Sequence, residues 1–403
     1  MKKLPLVLAL SAASICTLTS AQSNVQIAVK LYPYVNVEKA SGATPVGTTG
    51  MATLAGSATG PSAVSSGYKG MTAGNSYLSF RGTEDLGGGL KASFQLEGTV
   101  GVDDGGAGGF FWNRNTFVAL DGGFGSVKLG LMDTVFKEYG DTLGVLSISS
   151  GTPMSTSNIL RKVSFGASNA ARFHERRANS IRYDSPEFAG GFEAGVQVAT
   201  GENPNAATAI GAQKTFSLGL KYDKGPWYFA VAHEIHDNYF GGSVNSPSAM
   251  RNNAQVGITS KDKATQYTVE WRVTKEHKVE FDLIQKSYKE GANVAGRFES
   301  YKNTAYMVAA DSRWNAQWRT SLQYVKASAG SCTRFAAVCS TAGLEGSKVL
   351  AGASYYFSRR TFAFLVVDKM TNGASGRYAA NDFGAVNHGE DTSHIIAGLH
   401  VAF

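Results

Sequence analysis

The sequence predicts an all-β protein: a sixteen-stranded antiparallel transmembrane β-barrel with its third long loop folded inward. Three observations lead to this fold class. Apolar and polar residues alternate along most of the chain, as they do in strands whose two faces meet different surroundings. Short and long connections between these segments alternate strictly. One connection, about residues 135–175, is far longer than most strand connections and too rich in Ser, Thr, Gly and Asn for a helix.

The first 21 residues have the pattern of a secretory signal peptide. Lys2 and Lys3 precede an apolar run over residues 4–18, and the small residues at 19–21 favour cleavage after Ala21. Strand-like segments then continue to the end of the chain without a linker. We therefore expect a signal peptide at 1–21 and a single barrel domain at 22–403, with a constriction loop at about 135–175.

The composition is unusual for a soluble enzyme. The 403 residues include 47 Gly, 9 Pro and 11% aromatic residues, and the formal net charge is +7. Charged residues make up 17% of the chain, below the roughly 25% of soluble domains. After the signal region no segment approaches the roughly 20 apolar residues of a spanning helix. A membrane protein built from strands fits these values.

Two architectures produce the alternation, and they differ in where the apolar face points. A soluble β-sandwich turns this face inward, whereas a transmembrane barrel turns it towards lipid and lines its lumen with polar residues. The barrel is favoured because aromatic residues gather at segment ends, as the interfacial girdles of a membrane barrel require. These aromatic pairs are Tyr355 and Phe357, Trp227 and Tyr228, and Tyr239 and Phe240.

The connections give the strand count. Seven short turns and eight long loops join sixteen strands, an even number that puts both chain termini on the periplasmic side. The long loops are expected at about 40–72, 101–109, 135–175, 201–211, 239–263, 290–302, 329–346 and 371–391. Pro33 conflicts with a regular first strand because proline cannot donate a ladder hydrogen bond. We expect a bulge or a protein-covered site there.

Two of the three cysteines follow the signal region. Cys332 and Cys339 have six residues between them in a chain expected to be exported, which favours a local disulfide. The alternative, a metal pair, lacks histidine partners nearby. No Gly-rich phosphate loop opens a helix, and no Ser, His and acid arrangement stands out, so an enzyme is not expected. We expect no cofactor, no metal and no nucleic acid partner.

Three stretches resemble the trimeric general porins of Gram-negative bacteria, especially the β-proteobacterial type. They are SYLSFRGTEDLGGGLKASFQLEG at 76–98, FVALDGGFGSVKLG at 117–130 and NSIRYDSPEFAGGF at 179–192. The terminal Phe403 resembles the signal read by the barrel assembly machinery. The resemblance implies a homotrimer in the outer membrane, among lipid and lipopolysaccharide, that acts in ion and solute transport. It also implies a third loop folded into the barrel.

The expected pore-lining set follows from strand parity and from this resemblance. Selectivity in a water-filled pore comes from its diameter and from charges at its narrowest place. The set contains Lys30, Tyr77, Arg81, Arg114, Lys128, Arg161, Arg176 and Arg182. Tyr77 and Leu131 stand where members of the family often have arginine, so two of that family's cations are absent.

The long loop carries the charge argument further. Residues 144–174 contain no Asp or Glu, while Arg161, Lys162 and Arg172 are present. A constriction without carboxylates favours anions, particularly carboxylates and phosphates that bind an arginine fork. The alternative is that these loop cations face the outer vestibule or a neighbouring subunit. We therefore expect a diffusion channel for small hydrophilic solutes with a preference for anions, or else a channel specific for a small organic anion.

Overall fold

Sixteen long strands form one closed antiparallel barrel. The computed structural model describes residues 24–106, 111–140, 142–148, 152–166, 172–201, 213–252, 257–380 and 385–403. Neighbours in sequence are neighbours in the sheet, and the last strand closes on the first, with Ala402 opposite Lys30 and Gly398 opposite Tyr34. Closure pairs the backbone groups that would otherwise be left bare in lipid. The expected signal peptide, residues 1–21, lies outside the described residues.

Within the described residues the barrel is made of nineteen strand segments. Their bounds are β1 Asn24–Leu31, β2 Tyr34–Ser41, β3 Tyr68–Thr72, β4 Tyr77–Gly87, β5 Leu90–Thr99, β6 Thr116–Gly122, β7 Gly125–Asp133, β8 Arg176–Asp184, β9 Phe192–Thr200, β10 Lys214–Lys224, β11 Trp227–Asp237, β12 Ser260–Arg272, β13 His277–Glu290, β14 Phe298–Arg313, β15 Trp318–Ala327, β16 Ser331–Arg334, β17 Gly346–Tyr356, β18 Thr361–Asn372 and β19 Asp391–Ala402. Segments β1 and β2 are two halves of the first barrel strand, and β3 and β4 are halves of the second. Segment β16 is a short addition beside β14, so the barrel has the sixteen strands that the sequence predicts.

The first strand is interrupted at Tyr32 and Pro33. Proline has no backbone N–H to give to the ladder, and the sequence predicts an irregularity at this position. The Pro33 carbonyl still accepts from the Leu399 N–H at 3.2 Å. The first strand therefore keeps its contact with β19 across the break.

The described part of the chain contains few helices. The α-helices are α1 Val135–Tyr139 and α2 Ser157–Leu160, and the 3-10 turns are Ala63–Ser66, Val145–Ser147, Ser243–Asn245 and Ser248–Met250. None of the helices in the described part of the chain is long and apolar enough to cross a membrane. Both α-helices belong to the connection between β7 and β8.

The barrel is apolar outside and polar inside. Outward side chains such as Leu218, Val231 and Leu365 are exposed, whereas Gln266 and Glu280 point inward and are buried. A soluble sandwich has the opposite arrangement, with its apolar residues buried. The apolar outer surface is the one that lipid covers in a transmembrane barrel.

The aromatic girdle near the short turns differs in part from the prediction. Trp227 stacks beside Trp271 with ring centroids 5.8 Å apart, and Tyr355 lies 5.4 Å from Phe357; all four rings are exposed. Tyr228, expected in a girdle, points inward because it follows Trp227 in a strand and so takes the opposite face. Phe240, also expected in a girdle, is buried as well.

The connection after β15 is closed by a disulfide. Cys332 in β16 is bonded to Cys339, with Cα atoms 5.7 Å apart. This is the pairing that the sequence predicts. It holds the outer connection 328–345 rather than any strand of the barrel wall.

Candidate functional site

The connection of residues 134–175, called here the 134–175 loop, begins along the polar inner face of the barrel. Thr134 caps α1 by accepting from the Lys137 N–H through its hydroxyl. The Phe136 N–H donates to the Ser217 hydroxyl at 2.9 Å. The hydroxyl of Tyr228 donates to the Tyr139 carbonyl at 3.0 Å. These bonds tie α1 to β10 and β11 and satisfy backbone groups that the short helix leaves open.

Farther along, the loop is bonded to strands on the other side of the barrel. Glu280 of β13 accepts from the N–H groups of Thr142 and Leu143 at 3.0 Å and 3.1 Å. The Lys286 ammonium, fully enclosed, donates to the carbonyls of Leu160 at 2.9 Å and Lys162 at 2.7 Å. A buried ammonium needs such acceptors because it has lost its water. The far end of α2 is therefore held by β13.

Apolar side chains of the loop reinforce these bonds. Six of them are at most 5% exposed: Leu143, Val145, Met154, Leu160, Phe165 and Phe173. They pack in clusters with barrel residues such as Ile284 and Val366. These buried apolar side chains hold the described parts of the loop against the barrel wall.

Between the loop and the wall residues just before β4, just before β6 and at the start of β8 lies a cavity of about 190 Å³, called here the basic cavity. It is lined by Asn75, Arg114, Lys137, Ser157, Asn158, Arg161, Lys162, Arg172, His174 and Arg176. Six of these ten residues are Lys or Arg, and none is Asp or Glu. An enclosed space with this lining concentrates a positive field.

Carboxylates stand behind the lining and hold several of its cations. Arg114 forms an ion pair with Glu97. Asp133 accepts from both Lys137 at 2.7 Å and Arg176 at 3.1 Å. These pairs orient the cations, but Asp133 is the partner of both Lys137 and Arg176. The lining is therefore richer in positive charge than its supporting acids can balance.

Burial also changes the protonation of the loop cations. Loss of water lowers the pKa of Lys162 to about 7, helped by the nearby charges of Arg172 and Lys348. Burial lowers the pKa of Lys137 to about 8, while Asp133 opposes that shift. The pKa of His174 is held well below its usual value, first by burial and then by Arg161. His174 is therefore neutral at pH 7, whereas the charge on Lys162 changes near that pH.

The cavity brings together three of the predicted pore-lining residues. Arg114, Arg161 and Arg176 all line it. Arg161 is fully buried and donates from Nε to the Gln266 side chain at 3.0 Å, so it lies inside the barrel. Tyr77 lies beside them, because the Arg114 guanidinium is 4.8 Å from the centre of its ring.

The other predicted residues lie elsewhere on the wall. Lys30 approaches the Tyr32 ring, with Nζ 5.4 Å from its centroid, and Arg81 is exposed on β4. Lys128 and Arg182 lie opposite each other on β7 and β8. Neither of the last two lines the basic cavity.

Lys128 and Arg182 belong to a separate network of ion pairs. Asp184 accepts from Lys128 at 2.9 Å and from Arg182 at 2.7 Å. Arg182 is also paired with Glu138 of α1. Because Arg182 is buried between two carboxylates, it connects the loop to the wall instead of facing a solute.

Sequence reasoning missed Lys137 and His174 as members of the site. Lys137 follows Asp133 by four residues, a spacing that lets a helix pair the two charges. His174 has φ of 147°, a backbone conformation that side chains rarely adopt. Such strain is often stored at functional sites, but it cannot be read from the sequence.

The described residues include no group of three or more His, Cys, Asp or Glu side chains that could hold a metal ion. The charged groups that line the basic cavity are cations, with Glu97 and Asp133 behind them. Such a set attracts and orients anions.

Comparison with known proteins gives one family. A family model described as Gram-negative porin matches residues 7–375. Outer membrane porin protein 32 of Delftia acidovorans is 40% identical over 157 residues, which cover 38% of this chain and 42% of that protein. Major outer membrane protein P.IB of Neisseria lactamica is 31% identical over 174 residues, covering 43% and 46%. The chain thus spans less than half the length of the curated relatives it matches.

Solved structures show the same fold at lower identity. An anion-selective porin from Comamonas acidovorans is 23% identical with a TM-score of 0.70, covering 95% of this chain and all of that one. OmpT of Vibrio cholerae, as expressed in the outer membrane, is 11% identical with a TM-score of 0.60, covering 96% and 99%. At these identities the likeness establishes the barrel fold alone.

Proposed function

The chain belongs to the Gram-negative porin family, and from this premise we propose that it forms a water-filled channel for passive diffusion of small hydrophilic solutes with a preference for anions. As a member of that family it is an outer-membrane protein. Its task is passage rather than catalysis. The observation that carries the anion preference is the basic cavity, whose lining has six cationic residues and no carboxylate.

The 134–175 loop acts as the constriction of this channel. Its bonds to Ser217, Glu280 and Lys286 reach strands β10 and β13 from a start between β7 and β8. A loop bonded in this way crosses the lumen and narrows it. Rings of charge at a constriction decide which ions pass, and low-dielectric walls strengthen their field.

The predicted pore-lining residues take different parts in this proposal. Arg114 and Arg176 face permeating anions, the buried Arg161 adds to the positive field of the cavity, and Tyr77 supports Arg114. Lys30 and Arg81 add positive charge along the wall. Lys128 and Arg182 fix the loop through Asp184 and Glu138. Arginine suits the first task because its planar fork matches carboxylate and phosphate oxygens.

A salt gradient across a planar bilayer tests the proposal. Purified protein should conduct, and its zero-current potential should have the sign of an anion-selective channel. A potential of the opposite sign would exclude the anion preference. Conductance that is absent from folded protein would exclude the channel itself.

A channel specific for an organic anion is the second candidate, favoured by the small volume of the basic cavity, about 190 Å³. A dicarboxylate that blocks the chloride current at micromolar concentration would support it. Equal permeability to unrelated anions would favour the general channel.

The proposal includes an assembly state and a route to the membrane. Residues 1–21 direct export and are removed, which leaves 22–403 as the barrel domain. The terminal Phe403 is recognised by the barrel assembly machinery. The folded protein is a homotrimer among lipopolysaccharide; a trimer form of the structural neighbour OmpT of Vibrio cholerae supports the trimer. Cross-linking of purified protein would test this state.

A further inference from the structure

Two acidic side chains lie inside the barrel, away from the basic cavity. Asp262 of β12 and Glu290 of β13 point inward and are 0% and 4% exposed. In the strand pairing Asp262 lies opposite Tyr288, so Glu290 is its diagonal neighbour on the same face. Diagonal neighbours are within reach of long side chains, and the charge of Glu290 acts on Asp262. The fold therefore brings together two buried acids that are far apart in the sequence.

Residues 238–252, called here the 238–252 loop, cover these two acids. The N–H of Gly241 donates to Asp262 Oδ2 at 3.0 Å, and the N–H of Ser243 donates to Glu290 Oε1 at 2.7 Å. The side-chain amide of Asn252 donates to Glu290 Oε2 at 3.0 Å. These donors hold the loop against the wall, but they are neutral and bring no positive charge to the acids.

Neither acid has a basic partner among the described residues, which include every Lys and Arg beyond the signal region. Lys286, the inward lysine of β13, donates instead to carbonyls of the 134–175 loop. Lys261 and Lys289 are next to the acids in sequence, so they take the outer face of their strands. Buried charges in proteins are paired with an opposite charge or bind a metal ion. Asp262 and Glu290 therefore lack a counter-charge from the protein itself.

Two buried oxygen atoms at this place have no hydrogen-bond partner. They are Oδ1 of Asp262 and Oδ1 of Asn252, a residue that is 1% exposed. The Asn252 amide lies beside the acids because its nitrogen donates to Glu290. A proton on Asp262 does not account for these atoms. Because Oδ2 accepts from Gly241, the proton would be on Oδ1, where no acceptor is within reach. A bound cation accounts for both oxygens and for the missing counter-charge.

We propose that Asp262, Glu290 and Asn252 bind a divalent cation of the calcium class. Ca²⁺ takes oxygen ligands from carboxylates, amides, backbone carbonyls and water, and each of the three side chains offers an oxygen. Softer metals prefer Cys or His ligands. The cation balances the two negative charges and fixes the 238–252 loop on β12 and β13. The sequence predicts no metal because two strands supply the acids and a loop supplies the amide, so that only the fold joins them.

Titration calorimetry with Ca²⁺ tests the proposal. Purified full-length protein in detergent is first stripped with a chelator and then titrated at neutral pH. Two variants, Asp262→Asn and Glu290→Gln, each replace one acid by its amide and keep the size of the side chain. The matched control is Asp104→Asn, which changes an exposed acid of another outer connection that also accepts from a backbone N–H.

We expect wild-type protein and the control to bind one Ca²⁺ per chain, and each acid variant to bind it about tenfold more weakly. Mg²⁺ should bind more weakly than Ca²⁺ because it loses its water reluctantly. Absence of Ca²⁺ binding by wild-type protein, or equal affinity of the acid variants and the control, would overturn the proposal. If both acid variants misfold, Asn252→Ala decides, since it removes one ligand without changing the charge: weaker Ca²⁺ binding supports the site and unchanged binding overturns it.

Hydrogen–deuterium exchange of the same samples shows where the cation acts. Ca²⁺ should slow exchange in the 238–252 loop of wild-type protein and of the control, because Gly241 and Ser243 donate to the carboxylates that would hold the cation. The acid variants should not show this change. Protection that depends on pH but not on Ca²⁺ would show that the two acids share a proton, and would overturn the proposal.

Channel measurements on these samples keep the cation site separate from the proposed channel. None of the three ligands lines the basic cavity. Anion-selective conductance without Ca²⁺ binding would therefore defeat the cation site alone. Ca²⁺ binding by wild-type protein that does not conduct would defeat the channel alone.

Discussion

Replacing Arg176 by glutamine should weaken the anion preference by an amount that the site geometry defines. Arg176 lines the basic cavity and contacts Asn115 at 3.3 Å and Asp133 at 3.1 Å. Glutamine can still bond to Asn115, and Lys137 at 2.7 Å still neutralises Asp133. The substitution therefore removes one positive charge without leaving a buried carboxylate alone.

The magnitude follows from the size of the cavity. A sphere of about 190 Å³ has a radius of roughly 3.6 Å, which puts a guanidinium at its wall roughly 5 Å from a central ion. At that distance two unit charges interact by about 0.8 kcal/mol in water, reduced by screening to about 0.5 kcal/mol at 0.1 M salt. The substitution removes that much attraction for an anion and the same amount of repulsion for a cation. The ratio of anion to cation permeability should fall about fivefold.

The assay is the zero-current potential of single channels under a tenfold salt gradient. Lys224→Gln, at an exposed ion pair with Glu187 near a short turn, is the control and should leave the permeability ratio unchanged. If Arg176→Gln left the ratio unchanged too, Arg176 would not act on permeating ions. If the control lowered it equally, total protein charge rather than the cavity would set selectivity.

Three other variants test the 134–175 loop and the connection closed by the disulfide. Because burial lowers the pKa of Lys162 to about 7, its charge is present below pH 7 and lost above it. The anion preference, measured as the zero-current potential, should therefore fall from pH 6 to pH 8. Lys162→Gln should reduce this pH-dependent change. Lys286→Met removes the donor to the Leu160 and Lys162 carbonyls, so single-channel current should become noisier while the barrel still folds. Cys332→Ser with Cys339→Ser should lose about 2 kcal/mol of local stability, seen as faster proteolysis near 328–345 with an unchanged barrel melting temperature.

The barrel could be predicted from the sequence because the residue patterns that specify it are local. Period-two alternation fixes which face of each strand is apolar, and turn residues mark where each strand ends. The same rule explains the error at Tyr228, which was grouped with Trp227 by proximity although neighbours in a strand face opposite sides. The additional strand segment Ser331–Arg334 was also missed, since four residues within a loop carry no periodic signal.

The candidate site was less predictable because it depends on which wall residues the 134–175 loop contacts. Arg161 could be named from the sequence, but its contact with Gln266, 105 residues away, comes from the fold. Lys128 and Arg182 share the polar face with Arg176, yet Asp184 and Glu138 hold them in a structural network. Strand alternation predicts which side chains are on the polar inner face. It does not distinguish a cation that faces a solute from one that is paired with an Asp or Glu side chain.

Tyr77 changes the kind of positive charge at the proposed constriction as well as its amount. Its ring lies under Arg114, a favourable cation–π arrangement that holds a cation supplied by the chain just before β6. Further positive charge comes from the loop, through Lys137 and Lys162. Arginine stays charged at every physiological pH, whereas a buried lysine does not. In the proposed constriction the charge of Lys162 adds to that of the arginines only below about neutral pH, so we expect the attraction for anions to be strongest there.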